Sequence, residues 1–129
     1  MSKEILIVDD EPGVVVAIQF LMEQQGYTVL VAERGEDALD LIYRHKPDLV
    51  LLDIMLPGIS GWEVCEIIRL NPDCRTVKIV FLTARGDEAE IARGLALGAD
   101  AYITKPFNND HLIAKVNALL GHAEEESGK

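Results

Sequence analysis

At 129 residues the chain has the length of one domain, enough to bury roughly two-thirds of the surface its unfolded form exposes, so it needs neither disulfide nor metal to fold. The 22 acidic and 12 basic residues leave a formal charge of −10, which repels phosphodiester backbones and anionic lipid and argues against direct nucleic-acid or membrane binding. Cys65 and Cys74 lack metal-ligand spacing and are too few for a disulfide framework, a usage that suits a reducing cytoplasm.

The chain enters an apolar run directly after Met1-Ser2-Lys3-Glu4, without a secretory pattern, and no apolar stretch approaches the ~20 residues of a membrane span. Ile5-Leu6-Ile7-Val8 is short, continuous and β-branched, the pattern of a strand buried on both faces. Asp9-Asp10 closes it, and Pro12 opens a helical pattern over residues 12–25 that carries Val14, Ile18, Leu21 and Met22 on one face and stops at Gly26. A second strand starts near Tyr27, and a helix over 35–45 stops before Pro47. The third strand starts near Asp48, runs through Leu49-Val50-Leu51-Leu52 and ends at Asp53, ahead of the Leu56-Pro57-Gly58 turn and a helix over 61–70. Cys65 falls inside that helix, as a small core hydrophobe. The fourth run, Val77-Lys78-Ile79-Val80-Phe81-Leu82, ends at Thr83 and precedes a helix over 87–97 stopped by Gly98. The fifth strand starts near Asp100, contains Ala101-Tyr102-Ile103 and leads to Lys105-Pro106. A last helix over 108–120 places Leu112, Val116, Leu119 and Leu120 on one face and ends at Gly121. Residues 1–121 thus form the domain, and the acidic segment 122–129 is expected to be disordered, either as a chain end or as the start of a linker.

Five strand–helix units with right-handed crossovers predict an α/β fold: a doubly wound five-stranded parallel sheet in the flavodoxin-like order 2-1-3-4-5, with helices on both faces. Ligands of such sheets bind beyond the carboxyl ends of the strands, where Asp9, Asp10, Asp53, Thr83 and Lys105 all fall. Taken singly each has an ordinary explanation. Asp9-Asp10 could begin a helix, Asp53 and Lys105 could be solvated loop residues, Thr83 a satisfied hydroxyl and Tyr102 a half-exposed strand aromatic. Independent loop residues have no reason to place three carboxylates, a hydroxyl and an ammonium on one sheet edge, and such a set binds a hard cation and a phosphoryl group.

The pieces Ile7-Val8-Asp9-Asp10-Glu11-Pro12, Leu52-Asp53-Ile54-Met55-Leu56-Pro57-Gly58, Phe81-Leu82-Thr83-Ala84-Arg85 and Tyr102-Ile103-Thr104-Lys105-Pro106-Phe107 occur in this order and with family-like spacing. Over residues 3–121 the chain resembles the receiver domain of two-component response regulators. The resemblance implies a regulatory switch, not an enzyme, in which Asp53 accepts a phosphoryl group from a phosphohistidine on a sensor histidine kinase or a histidine phosphotransfer protein. It makes Asp10, Asp53 and the backbone carbonyl of Met55 ligands of Mg²⁺, with Asp9 acting through water. Lys105 supplies a second positive charge. Mg²⁺ prefers such oxygen ligands, and its charge offsets the repulsion between an attacking carboxylate and an anionic donor.

On the same resemblance Thr83 turns its hydroxyl to the phosphoryl group, beside which Ala84 leaves room, and Tyr102 enters the vacated space. The helix over 87–97, with Gly94 inside it, then shifts. Gly94 equally fits close packing against a neighbour. Output is implied through the fourth helix, fifth strand and fifth helix, and Lys105-Pro106 is implied to be cis. Arg93, Asp100 and Lys115 fit the charge pattern with which related receivers dimerise, but Ala101 and His111 stand where acidic residues are common, so a monomer or weak homodimer is expected. A Mg²⁺-dependent phosphatase of haloacid-dehalogenase type is the alternative, but its Asp-x-Asp-x-Thr pattern is replaced by Asp9-Asp10-Glu11-Pro12-Gly13. A flavin or dinucleotide carrier would need a Gly- or hydroxyl-rich loop after the first strand, which is absent. A stand-alone phosphotransfer module and the receiver part of a longer regulator both stay open.

Overall fold

The computed structural model describes residues 3–121. Its continuous apolar runs form parallel strands β1 (Glu4–Val8), β2 (Thr28–Ala32), β3 (Leu49–Asp53), β4 (Lys78–Thr83) and β5 (Ala101–Thr104). They pair in the order β2-β1-β3-β4-β5, as the strand–helix alternation predicts. The direction of winding reverses at β1, so the crevice between β1 and β3 is the topological switch point. Registers such as Val8↔Leu52 and Asp53↔Leu82 bring the strand ends level with one another.

Helices α1 (Pro12–Gln24), α2 (Gly35–His45), α3 (Gly61–Leu70), α4 (Glu88–Ala96) and α5 (Asn109–Leu120) connect and cover the strands. Because side chains alternate along a strand, the sheet has two cores. Ile5, Ile7, Leu49, Leu51, Val80 and Leu82 pack with Ile18, Met22, Leu112 and Val116 of α1 and α5. Leu6, Val8, Val50, Leu52, Ile79 and Phe81 pack with Ala38, Ile42, Val64, Cys65 and Ile68 of α2 and α3. Every residue of β3 is buried, which explains why its sequence is an unbroken apolar run rather than an alternating one. By contrast α4 buries only Gly94.

The helix limits differ from the expected 12–25, 87–97 and 108–120 at their ends because the terminal residues are caps. Gln25 and Leu97 are C-caps, while Asp87 and Asn108 are N-caps whose side chains accept from Glu90 N and His111 N. A single 3-10 turn (Pro72–Cys74), too short to leave a periodic signal, precedes β4 and buries Cys74. Cys65 is buried, its Sγ lies 3.6 Å from Leu97 O, and burial pushes its thiol up to about 11. It is a core residue. The expected disorder of 122–129 concerns positions outside the described residues.

Arg69, at the end of α3, joins three segments. Its Nε donates to Gly98 O (2.8 Å), Nη1 to Val77 O (2.8 Å) and Nη2 to Asp100 Oδ2 (2.9 Å). Asp100 Oδ2 also accepts from Ile79 N at 2.8 Å. Gly98 has φ +101, and a Cβ there would lie 2.9 Å from the Arg69 stem, so the residue that stops α4 also makes room for this clamp. Asp100, expected among the charges of a dimerisation face, is therefore engaged within its own fold. Replacing Arg69 by Ala leaves two carbonyls and a carboxylate without their donor, and charge-assisted bonds of this kind justify an expected loss of about 2 kcal/mol in urea unfolding. Arg44→Ala, which removes the exposed Arg44–Asp40 pair (2.9 Å), should change stability by less than about 0.5 kcal/mol.

Candidate functional site

Asp9 and Asp10 follow β1, Asp53 ends β3, Thr83 ends β4 and Lys105 follows β5. Asp9, Asp53 and Thr83 are buried, whereas Asp10 is exposed. One carboxylate oxygen from each of Asp9, Asp10 and Asp53 lies within 4.8 Å of the others. Lys105 Nζ sits 2.8 Å from Asp9 Oδ2, 2.9 Å from Glu11 Oε1 and 3.6 Å from Asp53 Oδ2. Its backbone N–H donates to Thr83 O (2.7 Å), and the Lys105-Pro106 bond is cis as expected.

Asp9 Oδ1 accepts from Glu11 N (2.9 Å), but the fully buried Oδ2 receives no hydrogen bond of proper geometry, the Lys105 ammonium approaching it as a charge. An unsatisfied buried carboxylate oxygen beside two further carboxylates is a hard-oxygen donor set with spare capacity, which fits a divalent cation of the magnesium or calcium kind. Met55 lies in the loop after Asp53, its N–H donating to Asp53 Oδ1 (3.2 Å) and its side chain in solvent.

Desolvation raises the Asp53 carboxyl to about 6, aided by the charges of Asp9 and Asp10 and opposed by Lys105 and the Met55 N–H. Burial alone would lower the Lys105 ammonium. Its pairing with the Asp9 and Glu11 carboxylates and the nearby Asp53 charge overcome this and raise it above the ordinary lysine value, so it stays cationic at neutral pH.

Two contacts were not visible in the sequence. Glu11 supplies a carboxylate to Lys105, though its place beside the aspartates gave it no assigned role. Glu90, in the first turn of α4, accepts the Thr83 hydroxyl and Gly86 N (2.9 Å) on the same Oε1, while its backbone carbonyl accepts the Tyr102 hydroxyl (2.6 Å). The spacing Asp87-x-x-Glu90 resembles a capping box and was the available signal, but the Glu90 carboxylate reaches back past the cap to the end of β4. Tyr102 is half-buried and packs on Phe81 with ring centroids 6.1 Å apart. A Cβ on Gly94 would meet Phe81 and the Tyr102 hydroxyl at 3.1 Å, so close packing accounts for that glycine. Arg93 stacks over Trp62 at 4.4 Å, which engages a second charge of the expected dimerisation set within the chain.

A family model described as the response regulator receiver domain matches residues 5–117. The chain belongs to this family. The receiver is similar to a putative response regulator from Chloroflexus aurantiacus, with 36% identity over 94% of this chain and 99% of that one and a TM-score of 0.89. It also resembles the beryllofluoride-activated N-terminal receiver domain of RstA from Klebsiella pneumoniae (36% identity, 92% and 98% coverage, TM-score 0.85). A third similar structure is the receiver domain of a signal transduction histidine kinase from Syntrophus aciditrophicus (32% identity, 93% and 91% coverage, TM-score 0.85). The order of strands seen here is the flavodoxin-like order of the family fold, and the chain is accordingly a receiver of two-component signalling.

Burial of the Asp53 carboxylate, with Asp9 and Asp10 beside it, destabilises the cation-free receiver. Because the folded Asp53 pKa (about 6) exceeds the unfolded value (about 3.9), the native state binds more protons between these limits, and stability falls as pH rises through that window. Asp53→Asn removes this burden and should be about 1–3 kcal/mol more stable than the wild type at pH 7 in chelator, with the gap closing at pH 4. Millimolar Mg²⁺ should stabilise the wild type, by about 2.7 kcal/mol at a hundredfold excess over Kd, and Asp10→Ala should lose most of that response. Wild-type melting curves that do not change between Mg²⁺ and chelator would contradict the site.

Proposed function

We propose that this receiver is a phosphorylation-activated switch in which Asp53 takes a phosphoryl group from a phosphohistidine on a sensor histidine kinase or a histidine phosphotransfer protein. The observation that carries the assignment is a buried strand-end carboxylate, Asp53, flanked by the Lys105 ammonium at 3.6 Å and by two further carboxylates. An Asp53 oxygen attacks phosphorus, the P–N bond to an imidazole protonated on its other ring nitrogen breaks, and its electron pair returns to the ring nitrogen it leaves, so the products are an acyl phosphate and a neutral histidine. Lys105 offsets part of the charge that builds on the phosphoryl oxygens. Asp10, Asp53 and the Met55 carbonyl would hold Mg²⁺ directly and Asp9 through water; when bound, it supplies the charge that lets two anions meet. Thr83 then donates to a phosphoryl oxygen, and Tyr102 and α4 respond.

The output surface in this proposal is the α4-β5-α5 face. With Arg93 and Asp100 engaged inside the chain, that face favours a monomer or a weak homodimer. Among the described residues no helix is long and apolar enough to cross a membrane, and the free cysteines accord with a cytoplasmic setting. The acidic charge gives no support to direct nucleic-acid binding. Turnover chemistry of a phosphatase kind has no motif here, and we assign a regulatory switch.

Acetyl phosphate with Mg²⁺ should add one phosphoryl mass to the wild type and none to Asp53→Asn. Equal addition to both would move the acceptor elsewhere. Thr83→Ala keeps the nucleophile, the metal ligands and Lys105, so it should still gain the mass while the amide shifts near Tyr102 shrink.

A further inference from the structure

We propose that Glu90 is a positioning residue that holds the Thr83 hydroxyl in reserve and competes with the phosphoryl group for it. This rests on the reading above, in which Thr83 donates to a phosphoryl oxygen on Asp53. A threonine hydroxyl carries one proton to donate. Here that proton goes to Glu90 Oε1, while Oγ1 already accepts from Arg85 N at 3.0 Å. Thr83 therefore has to leave one anion to serve the other.

Glu90 is held for this task from both sides. Gly86 N donates to the same carboxylate oxygen at 2.9 Å, and Gly86 has φ +76, a conformation in which a Cβ would lie 2.3 Å from Thr104 Cγ2. The loop that presents this donor is thus built around a glycine. Thr83 is buried, where a hydrogen bond to an ionised group is stronger than at the surface. Once a phosphoryl group stands on Asp53, two anions face one hydroxyl, and repulsion favours departure of the carboxylate that can move. A cavity of about 270 Å³ beside Glu90, lined in part by Trp62, Asp87 and Arg93, offers it space and, in Arg93, a cationic neighbour, Arg85 at the same cavity being paired with Asp87.

The consequence reaches α4 and Tyr102 together. The Glu90 carboxylate ties the first turn of α4 to the end of β4, and the carbonyl of the same residue holds the Tyr102 hydroxyl. Since α4 buries only Gly94, little apolar packing opposes a shift when the carboxylate is released.

The test is titration of the full chain with beryllofluoride in Mg²⁺, followed by the fluorescence of its single tryptophan, Trp62, which lines the same cavity. Glu90→Ala should bind about tenfold more tightly than the wild type, the ratio that corresponds to about 1.4 kcal/mol, and Glu90→Gln, which keeps an acceptor without the charge, should fall between. Alanine is a good residue for a helical first turn, and Glu90→Gln tests the idea even if the alanine variant is lost. In a Thr83→Ala background, Glu90→Ala should have less than a twofold effect. Equal affinities across the three Glu90 forms overturn the proposal. So does equal tightening with and without the Thr83 hydroxyl, which would show the charge acting through space. Absence of binding to the wild type, or binding that survives Asp53→Asn, overturns Asp53 as the phosphoryl acceptor and this proposal with it.

Discussion

One ammonium makes the rest of the site possible. Three aspartates and Glu11 meet at the strand ends, and leaving the two buried ones, Asp9 and Asp53, unpaired would cost several kcal/mol each. Lys105, whose side chain is only 15% exposed, sets its Nζ beside Asp9, Glu11 and Asp53 at once and turns an untenable cluster into a tolerable one. Compensation is incomplete: Asp53 is still raised to about 6, and Asp9 Oδ2 is still without a hydrogen bond. That residual instability leaves the site something to gain from a cation. A site relaxed by further lysines would not bind one with any preference.

The sheet and the helices divide the work. Strands β1, β3 and β4 are locked between two apolar cores, so the functional groups at their ends have fixed origins. On the far side of the sheet, α5 is tied to the α1–β2 corner by the Tyr27 hydroxyl on Asn117 and by Asn117 Nδ2 on Gln25 (3.2 Å). The fourth helix is held differently. Its contacts to the rest of the domain include the Glu90 carboxylate, the Tyr102 hydroxyl and the Arg93 stack on Trp62, all of them polar and directional. Polar contacts can be exchanged for other polar contacts at small net cost, whereas apolar packing cannot. Under the proposed switch, this attachment is what lets α4 respond.

The same division explains what was legible in the sequence. Strands buried on both faces announce themselves as unbroken apolar runs, and their order follows from crossover handedness, so the positions of Asp9, Asp53, Thr83 and Lys105 could be read directly. Roles that depend on the reach of a long side chain could not. Arg69 spans from α3 to β5, Glu90 reaches back across a loop, and Glu11 turns to a lysine 94 positions away. Arg69 and Glu11 leave no period or local spacing, and the one that Glu90 leaves, Asp87-x-x-Glu90, points to a helix cap rather than to β4. Asp100 shows the converse failure: its position fits a surface charge pattern, yet a nearby guanidinium and the Ile79 N–H draw it into the fold.

Magnitudes limit how the switch can work. Moving a two-state element from 1:99 to 99:1 takes about 5.5 kcal/mol of differential stabilisation. One hydrogen bond to a charged group contributes about 1.5–3 kcal/mol, so exchange at Thr83 alone shifts the population only part of the way. The Arg93–Trp62 stack, in the range of about 0.5–2 kcal/mol, lies on the same helix as Glu90, and the Tyr102 hydroxyl is bonded to that residue's backbone. If all three contacts change together their sum, about 2.5–6.5 kcal/mol, reaches the required size only at its upper end, and no one of them alone comes near it. A full response therefore demands that α4 move as one body. Gly94 lets the helix approach Phe81 and Tyr102 so closely that a Cβ there would lie 3.1 Å from both, so α4 meets these rings through backbone rather than through a side chain.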